Sequence, residues 1–347
     1  MKKYFWIYIV KRFVLGIITI LVIMFSSYAL MRLAPGDPSK SSFLGNGGIG
    51  HGTVGSISSD KSEFGTNKII REQLHLNESI ILGFFLWIKD ALHGNLGLSV
   101  AVDKGRSVAD LILERLPITL KLNVFSVLLT YLLSIPIGIY TAVKHDTFAD
   151  KIITFCLFFL YSLPILWTAL ILQAVLCKGG IFPIFPLKGI SPTISDGMTT
   201  WHIIGEYMAH YVLPVFCLSY ASFAGIARFT RAGMLDVIKQ EYIRTAYAKG
   251  VQEYDIILVH AFRNNFIMMI TLFSGLLPGL IAGSILIEFI FNIPGMGSLS
   301  MIALSSRDIP LLMALFSISG ILTLVGILFS DICYIFADPR IGFDARN

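Results

Sequence analysis

Residues with the type and spacing of a catalytic site are scarce in this sequence. It contains no Gly-x-x-x-x-Gly-Lys-Ser/Thr loop for nucleotide phosphates, no His-Glu-x-x-His motif for zinc and no Gly-x-Ser-x-Gly nucleophile elbow. The scattered histidines share no ligand spacing; they include His51, His75, His93, His202 and His210. We therefore expect no catalytic site, no bound metal ion and no cofactor held by this chain.

Two acidic residues within apolar runs are candidates for a charge that acts inside a membrane. Glu288 and Asp331 each lie toward the end of a long apolar run, and acids in such runs are functional suspects. Near a run end, however, water and polar partners are close. Helix packing or interfacial solvation is therefore the main interpretation of both residues, and a functional charge is the alternative.

The composition excludes an ordinary water-soluble domain. Of the 347 residues, 55% are hydrophobic and only 14% are charged, whereas soluble domains have about 25% charged residues. Mean hydropathy is +0.75. The net charge of +5 lies mostly in short segments between apolar runs, which is typical of the positive-inside bias and not of a nucleic-acid-binding patch. These features predict an integral membrane protein in a lipid bilayer, with no nucleic-acid partner.

Several apolar segments have the length of about 17–25 residues that a helix needs to cross a bilayer. They predict about six transmembrane helices, at residues 13–31, 117–143, 152–176, 211–227, 266–289 and 310–336. Pro117 suits the first turn of the second helix. Basic residues concentrate before the first helix, between alternate later pairs and after the sixth, which predicts that both termini are cytoplasmic. The predicted fold is all-α and polytopic.

This topology divides the chain into three regions. Residues 1–31 form the N-terminus and first transmembrane helix, residues 32–116 an extracytoplasmic loop region with a Gly/Ser-rich insert at 39–67, and residues 117–347 the core domain. Apolar residues at helical spacing in Glu78–Leu92 predict a short outer helix. The Pro-bearing apolar run 182–187, in the outer loop 179–206, predicts a packed irregular segment.

The cytoplasmic loop at residues 228–265 carries the most informative pattern. Leu235, Ile238, Tyr242 and Ala246 recur at spacings of three and four, which predicts an amphipathic helix with one apolar stripe. Gly250 is a suitable C-terminal cap, and residues 251–264 predict a second helix. Periodicity alone leaves two uses open, because such a helix can rest on lipid or insert into the groove of a partner.

Specific motifs narrow these alternatives. The run Glu-Tyr-Ile-Arg-Thr-Ala-Tyr-Ala-Lys-Gly at 241–250 resembles the cytoplasmic EAA loop of ABC importer permeases, in the form of the oligopeptide, dipeptide and nickel family. His-Ala-Phe-Arg-Asn at 260–264 resembles that family's continuation. Further motifs of the family follow in order at residues 32–38, 94–99, 115–120, 294–297, 307–310 and 338–341. The motif after the first helix marks the first of two permeases, and the insert and C-terminal sequence resemble the microcin C/oligopeptide branch.

One departure concerns the triplet that gives the loop its name. Glu-Ala-Ala falls on Arg244-Thr245-Ala246, so only the last alanine and Gly250 are retained, as in the peptide branch, where Glu241 supplies the acidic residue. The resemblance implies that an ATPase-coupling surface lies on this loop. Its candidate residues are Leu235, Ile238, Glu241, Tyr242, Arg244, Ala246, Lys249 and Gly250.

The resemblance also implies a type I ABC permease fold and a permease subunit of an ATP-driven importer for peptides or peptide-like solutes in the cell inner membrane. Its partners would be a second related permease, two cytoplasmic ATPase subunits that hold ATP and Mg, and an extracytoplasmic solute-binding protein. Oligopeptides, dipeptides, nickel and peptide-like antibiotics all remain open as solutes, and the substrate-binding residues are unknown.

Two other classes of protein are weighed against this interpretation. An ion-gradient-driven secondary transporter would be expected to have inverted repeats and midplane charges, and a membrane-embedded enzyme would need facing catalytic groups. The sequence offers neither pattern.

Overall fold

The computed structural model describes residues 2–33, 68, 71–187, 189–190, 199–266, 269, 272 and 285–337. Its α-helices are α1 Lys2–Leu33, α2 Ile80–Leu92, α3 Val108–Val143, α4 Phe148–Ser162, α5 Ile165–Leu176, α6 Thr200–Ile238, α7 Glu241–Ala248, α8 Ile285–Ile290, α9 Met296–Ser306 and α10 Ile309–Ala337. A helical turn, Glu253–Asp255, continues as a π-helix, Ile256–Phe262. No β-strand occurs among the described residues, which confirms the predicted all-α fold.

Four helices of the described chain are long and apolar enough to cross a membrane: α1, α3, α6 and α10. The pair α4 and α5 adds a fifth span if the two are counted together, although they meet at a bend of 98°. The predicted helix at 266–289 lies mostly outside the described residues, as do the insert at 39–67 and the C-terminal motif at 338–341. The predicted number of six is therefore not confirmed.

The start of α3 corrects the prediction for the second transmembrane helix. The helix begins at Val108, so Pro117 lies inside it and not in its first turn. The helical turns before residue 117 are stabilised by apolar packing, because Val108, Leu111 and Ile112 lie with Leu299 in one hydrophobic cluster. Membrane-protein helices tolerate an interior proline when neighbouring groups satisfy the freed backbone.

The third predicted helix is broken in the structure. Helix α4 ends at Ser162 and α5 starts at Ile165, with Leu163 and Pro164 both extended. Proline disfavours the helical region for the residue before it, which explains the position of the break. The Tyr220 hydroxyl of α6 donates a hydrogen bond of 2.7 Å to the Leu163 carbonyl. A backbone group freed by the break is therefore satisfied by a neighbouring helix.

Helix α6 is longer than the fourth predicted helix at residues 211–227, since it covers Thr200–Ile238. It packs tightly against α3, where Thr130 and Gly138 are buried. A Cβ atom added to Gly138 would lie 2.7 Å from the Ala227 carbonyl oxygen and 2.5 Å from the Thr230 Cβ. Small residues allow such close backbone approach between membrane helices. The α3–α6 pair is thus the central packing unit of the described chain.

Helix α2 confirms the short helix predicted within residues 78–92. Phe84 and Trp87 are buried against α1, in a cluster that includes Met24 and Tyr28. The Tyr28 hydroxyl donates a 2.6 Å hydrogen bond to the Leu74 carbonyl, so the segment before α2 is also attached to α1. The irregular structure predicted for 182–187 is confirmed as well. The predicted packing holds only in part, because Phe185 packs on a core cluster whereas Phe182 and Ile184 are 58% and 65% exposed.

Two distant family motifs meet at Asp308, just before α10. One carboxylate oxygen, Oδ2, accepts hydrogen bonds of 2.6 Å from the Ser99 hydroxyl and of 3.0–3.1 Å from the backbone N–H groups of residues 100, 101 and 102. The other oxygen accepts from the Leu311 N–H of α10 at 3.3 Å. A buried carboxylate is satisfied by this many donors. Asp308 therefore holds the loop of the 94–99 motif against the start of α10.

A second buried carboxylate joins three further segments. Glu288 of α8 is fully buried, where Oε1 accepts from the Thr119 hydroxyl at 2.8 Å and Oε2 from the Ser298 N–H at 3.0 Å. The Thr119 hydroxyl accepts in turn from the Met296 N–H at 2.8 Å. Carboxylates favour the N-terminus of a helix, here that of α9. This geometry agrees with the packing interpretation of Glu288; the side chain of Asp331 lies outside the description.

Candidate coupling site

The amphipathic helix predicted for the loop at residues 228–265 is divided between two helices. Helix α6 ends at Ile238, Gln240 is extended with ψ 148°, and α7 begins at Glu241. The predicted stripe assumed one continuous helix. Because the chain is extended at Gln240, the side chains of α7 do not continue the stripe of α6. Leu235 and Ile238 consequently belong to α6, not to the helix that carries the family motif.

The inward face of α7 rests on one buried isoleucine. Ile243 is 1% exposed and packs with Ala142 of α3, Met234 of α6, and Ile256 and Ala261 of the π-helix. Around this cluster lie partly buried apolar residues, among them the predicted residues Leu235, Ile238 and Ala246. Three of the candidate residues therefore contribute to packing within the chain. Ile243 was missed by the stripe, although it is the only large aliphatic residue of α7.

The outward face of α7 carries the remaining candidate residues. Glu241, Tyr242, Arg244, Lys249 and Gly250 are all exposed, so Tyr242 lies apart from the partly buried apolar residues with which the stripe grouped it. The Arg244 Nη1 donates to the Glu241 carboxylate at 2.9 Å, and an exposed pair of this kind contributes little stability. The Tyr242 hydroxyl accepts from the Asn264 amide at 3.1 Å. This face presents mixed charge and an aromatic ring to a partner.

Gly250 ends this helix with a Schellman motif. Its φ is +77°, and a Cβ atom added there would have no atom within 4 Å. The Gly250 N–H donates to the Tyr247 carbonyl at 3.0 Å and the Val251 N–H to the Ala246 carbonyl at 3.3 Å. This pattern of bonds satisfies the last carbonyls of a helix and favours glycine, which has no Cβ to strain the left-handed backbone. The predicted helix end at Gly250 is confirmed.

The segment after Gly250 attaches the loop to α6. It is helical from Glu253, as predicted for residues 251–264, with a π-helix over Ile256–Phe262. Ala261, from the 260–264 motif, is fully buried, and the Asn265 amide donates to the Thr230 carbonyl of α6 at 3.3 Å. Ala261 and Phe262 of this motif therefore pack in the cluster around Ile243, and the motif leads into an anchoring hydrogen bond.

A buried ion pair connects α4 to the same end of the bundle. The Arg231 guanidinium of α6 donates to the two Asp150 carboxylate oxygens, from Nε at 2.9 Å and from Nη2 at 2.7 Å. The Asp150 side chain is 3% exposed and the Arg231 side chain 26%. Asp150 also accepts from the Thr154 hydroxyl at 3.2 Å and from the Asp146 N–H at 3.1 Å. Bidentate pairs fix orientation as well as distance, so α4 and α6 are held in one geometry.

Together these contacts hold a surface helix against the ends of longer helices. Helix α7 packs on the ends of α3 and α6, while the Arg231–Asp150 pair holds α4 to α6. The described residues include no group of three or more His, Cys, Asp and Glu side chains that could hold a metal ion. The arrangement leaves the outward face of α7 open to a partner and joins its inward face to the membrane helices.

Known proteins match this chain over most of its length. Residues 134–343 match the family described as binding-protein-dependent transport system inner membrane component. The chain is 35% identical to the oligopeptide transport system permease protein AppB of Bacillus subtilis (strain 168) over 336 residues, which cover 97% of this chain and 99% of that protein. It is 30% identical to the peptidoglycan transport system permease protein YejB of Agrobacterium fabrum over 362 residues, covering 98% and 99% of the two chains.

A third relative is the inner membrane ABC transporter permease protein YejB of Escherichia coli O157:H7, which is 31% identical over 366 residues, again covering 98% of this chain and 99% of the relative. These matches span nearly the whole length of this chain and of each relative. The apolar helices agree with a multi-pass membrane protein. The chain therefore belongs to the family of inner membrane components of binding-protein-dependent transport systems, with the type I ABC permease fold, and it is a permease subunit.

Proposed function

We propose that this chain is the first permease of an ATP-driven importer for peptides or peptide-like solutes, and that α7 is its coupling helix. The observation that carries the proposal is the two-sided character of α7. Ile243 attaches the inward face to the membrane helices, whereas Glu241, Tyr242, Arg244 and Lys249 remain exposed for a partner. An amphipathic helix presented in this way fits a groove in another subunit.

Coupling would proceed by movement of a packed unit. Closure of two ATPase subunits on ATP would displace α7, and the cluster around Ile243 would transmit that displacement to α3 and α6. The Arg231–Asp150 pair would carry α4 with them. Because packed interfaces move as units instead of deforming continuously, a small shift at α7 can favour the inward or the outward state.

The partners follow from the same proposal. A second, related permease would complete the solute path, two cytoplasmic ATPase subunits would hold ATP and Mg, and this chain would hydrolyse nothing and hold no cofactor. Both termini and α7 would lie in the cytoplasm. A solute-binding protein would dock on the opposite side, on residues 68–116 and 179–206. The loop that Asp308 clamps to α10 would offer it a pre-organised surface.

Peptides are the solute class that the relatives support. The names of the matched permeases refer to oligopeptide, peptidoglycan and peptide transport. We extend the class of peptide-like solutes to this chain, without choosing among its members. No observation favours the ion-gradient-driven transporter as a second candidate.

Reconstitution of the complete importer tests this function. Proteoliposomes with the permease pair, the ATPases and the binding protein are loaded with ATP, and uptake of a labelled peptide mixture is followed with and without ionophores. The proposal predicts uptake that needs ATP and the binding protein and that survives collapse of proton and sodium gradients. Uptake by the permeases alone, driven by a gradient and indifferent to ATP, would contradict it.

A further inference from the structure

A cleft between α4 and α6 has a chemistry that coupling to an ATPase does not explain. It encloses about 510 Å³ beside Phe158, Tyr161, Gly225, Arg228, Phe229 and Arg231. The cleft lies next to the Arg231–Asp150 pair and therefore near the end of the bundle that carries α7. Its walls combine cationic and aromatic side chains, which is the composition of a site for an amphipathic anion.

Arg228 supplies the charge of this cleft. Its guanidinium carbon lies 4.0 Å from the centre of the Phe158 ring and 6.0 Å from that of Tyr161. Stacking on an aromatic face leaves the in-plane N–H groups of a guanidinium free to donate. In the described part of the chain no carboxylate pairs with Arg228. Arg231, by contrast, is neutralised by Asp150, so the cleft keeps a surplus positive charge.

The surroundings of the cleft indicate where an anion would come from. Phe155, Phe159 and Phe229, on the two helices that form the cleft, are large apolar side chains that remain about half exposed or more. Exposed phenylalanines on membrane helices contact acyl chains. A molecule that fits both features has a phosphate headgroup and hydrocarbon tails. Basic pockets between transmembrane helices bind anionic lipid headgroups in this way.

We infer that the cleft binds an anionic phospholipid, with its phosphate against Arg228 and its acyl chains along the exposed phenylalanines of α4 and α6. The Arg228 N–H groups donate to the phosphate oxygens, and the Phe158 ring holds the guanidinium in place. This site is separate from the outward face of α7 and goes beyond the proposed transport function.

Site-specific photocrosslinking in nanodiscs tests the assignment. Tyr161, at the rim, is replaced by p-benzoylphenylalanine in the complete importer complex, and nanodiscs contain phosphatidylcholine with stepwise amounts of phosphatidylglycerol. Mass spectrometry identifies the adducts after illumination. We expect phosphatidylglycerol adducts to exceed their bulk share about fivefold, the ratio that corresponds to about 1 kcal/mol per basic residue at a membrane surface. Arg228→Gln should abolish this enrichment, and Lys239→Gln, at the exposed end of α6, should keep it.

Three results would overturn the inference: adducts that follow the bulk lipid ratio, enrichment that survives Arg228→Gln, or crosslinks to a protein chain, which would mean that a partner subunit covers the cleft. If Arg228→Gln prevents assembly of the complex, the phosphatidylglycerol titration of the complex with native Arg228 decides alone. A saturable excess of phosphatidylglycerol adducts supports the site, and adducts proportional to bulk content refute it.

Discussion

The Arg231 guanidinium of α6 donates two hydrogen bonds, of 2.9 Å and 2.7 Å, to the Asp150 carboxylate of α4. Helix α4 also packs on α6 through Leu157, which lies in one buried cluster with Ala224 and Ala227. Since α6 leads directly to α7, this pair makes α4 part of the unit that α7 would move.

Asp150→Asn should lower the stability of the folded permease by about 1–3 kcal/mol, because it leaves a largely buried guanidinium without its counter-charge. Thermal unfolding of the detergent-solubilised complex measures the loss. Glu241→Gln is the matched control, since it breaks the exposed pair with Arg244 and should change stability by less than about 1 kcal/mol. Equal effects of the two substitutions would mean that the buried pair has no special structural role.

Ile243→Ala should loosen α7 from the bundle. Removing a fully buried aliphatic side chain costs about 2–5 kcal/mol, and this cost falls on the contact between α7 and the ends of α3 and α6. Hydrogen exchange of the amides in 241–248 should accelerate, and solute uptake per ATP hydrolysed should fall. Thr245→Ala, at an exposed position of the same helix, should leave both quantities unchanged. Unaltered exchange in Ile243→Ala would show that this side chain does not anchor the helix.

Gly295→Ala should destabilise the network around Glu288. The new Cβ atom would lie 2.5 Å from both Glu288 Oε2 and Thr119 Oγ1, and overpacking of a well-packed site costs about 1–3 kcal/mol. Gly205→Ala is the control, because nothing lies within 4 Å of its Cβ position in α6; it should be neutral or stabilising. The melting temperatures of the purified complexes compare the two, and an unchanged value for Gly295→Ala would argue against the tight network.

Asp308→Asn should release the loop at residues 99–102 from α10. An amide presents only one acceptor oxygen and brings an NH2 group toward a site of N–H and O–H donors, so a loss of about 1–3 kcal/mol is expected. Limited proteolysis between residues 99 and 107 should become faster. Asp103→Asn, whose carboxylate makes an exposed 3.4 Å contact with Arg106, should not change the cleavage rate. Equal cleavage rates for the two variants would show that Asp308 does not hold this loop in place.

Hydropathy predicted that membrane-spanning helices are present, but it did not predict where each helix begins and ends. Helix α10 agrees closely with its apolar run, whereas α6 extends beyond its run at both ends. A hydropathy window stops at charged residues such as Arg228 and Arg231, although backbone hydrogen bonding continues through them. The bend at Pro164 is different, since the proline is visible in the sequence but the break that it causes in the helix predicted at 152–176 needed the structure.

The candidate coupling site likewise contains features that the sequence predicts and features that only the structure reveals. Gly250 was a reliable prediction because a local rule of backbone geometry governs it. The break at Gln240 had no glycine or proline to mark it. Without the break, Tyr242 was placed in one apolar stripe with Leu235 and Ile238, and Ile243 was missed. The Arg231–Asp150 pair spans 81 positions of sequence, so only tertiary packing could reveal it.

The most direct test of coupling through α7 is co-purification of the ATPase subunits with the permease in mild detergent. Gly250→Trp places a large side chain at the exposed end of α7. Gly250→Ala imposes the same left-handed backbone strain, of about 1–2 kcal/mol, without the bulk. The coupling account predicts that the native permease and Gly250→Ala retain the ATPases and that a folded Gly250→Trp permease loses them. Equal retention by Gly250→Trp, or no ATPase with any of the three, would contradict it.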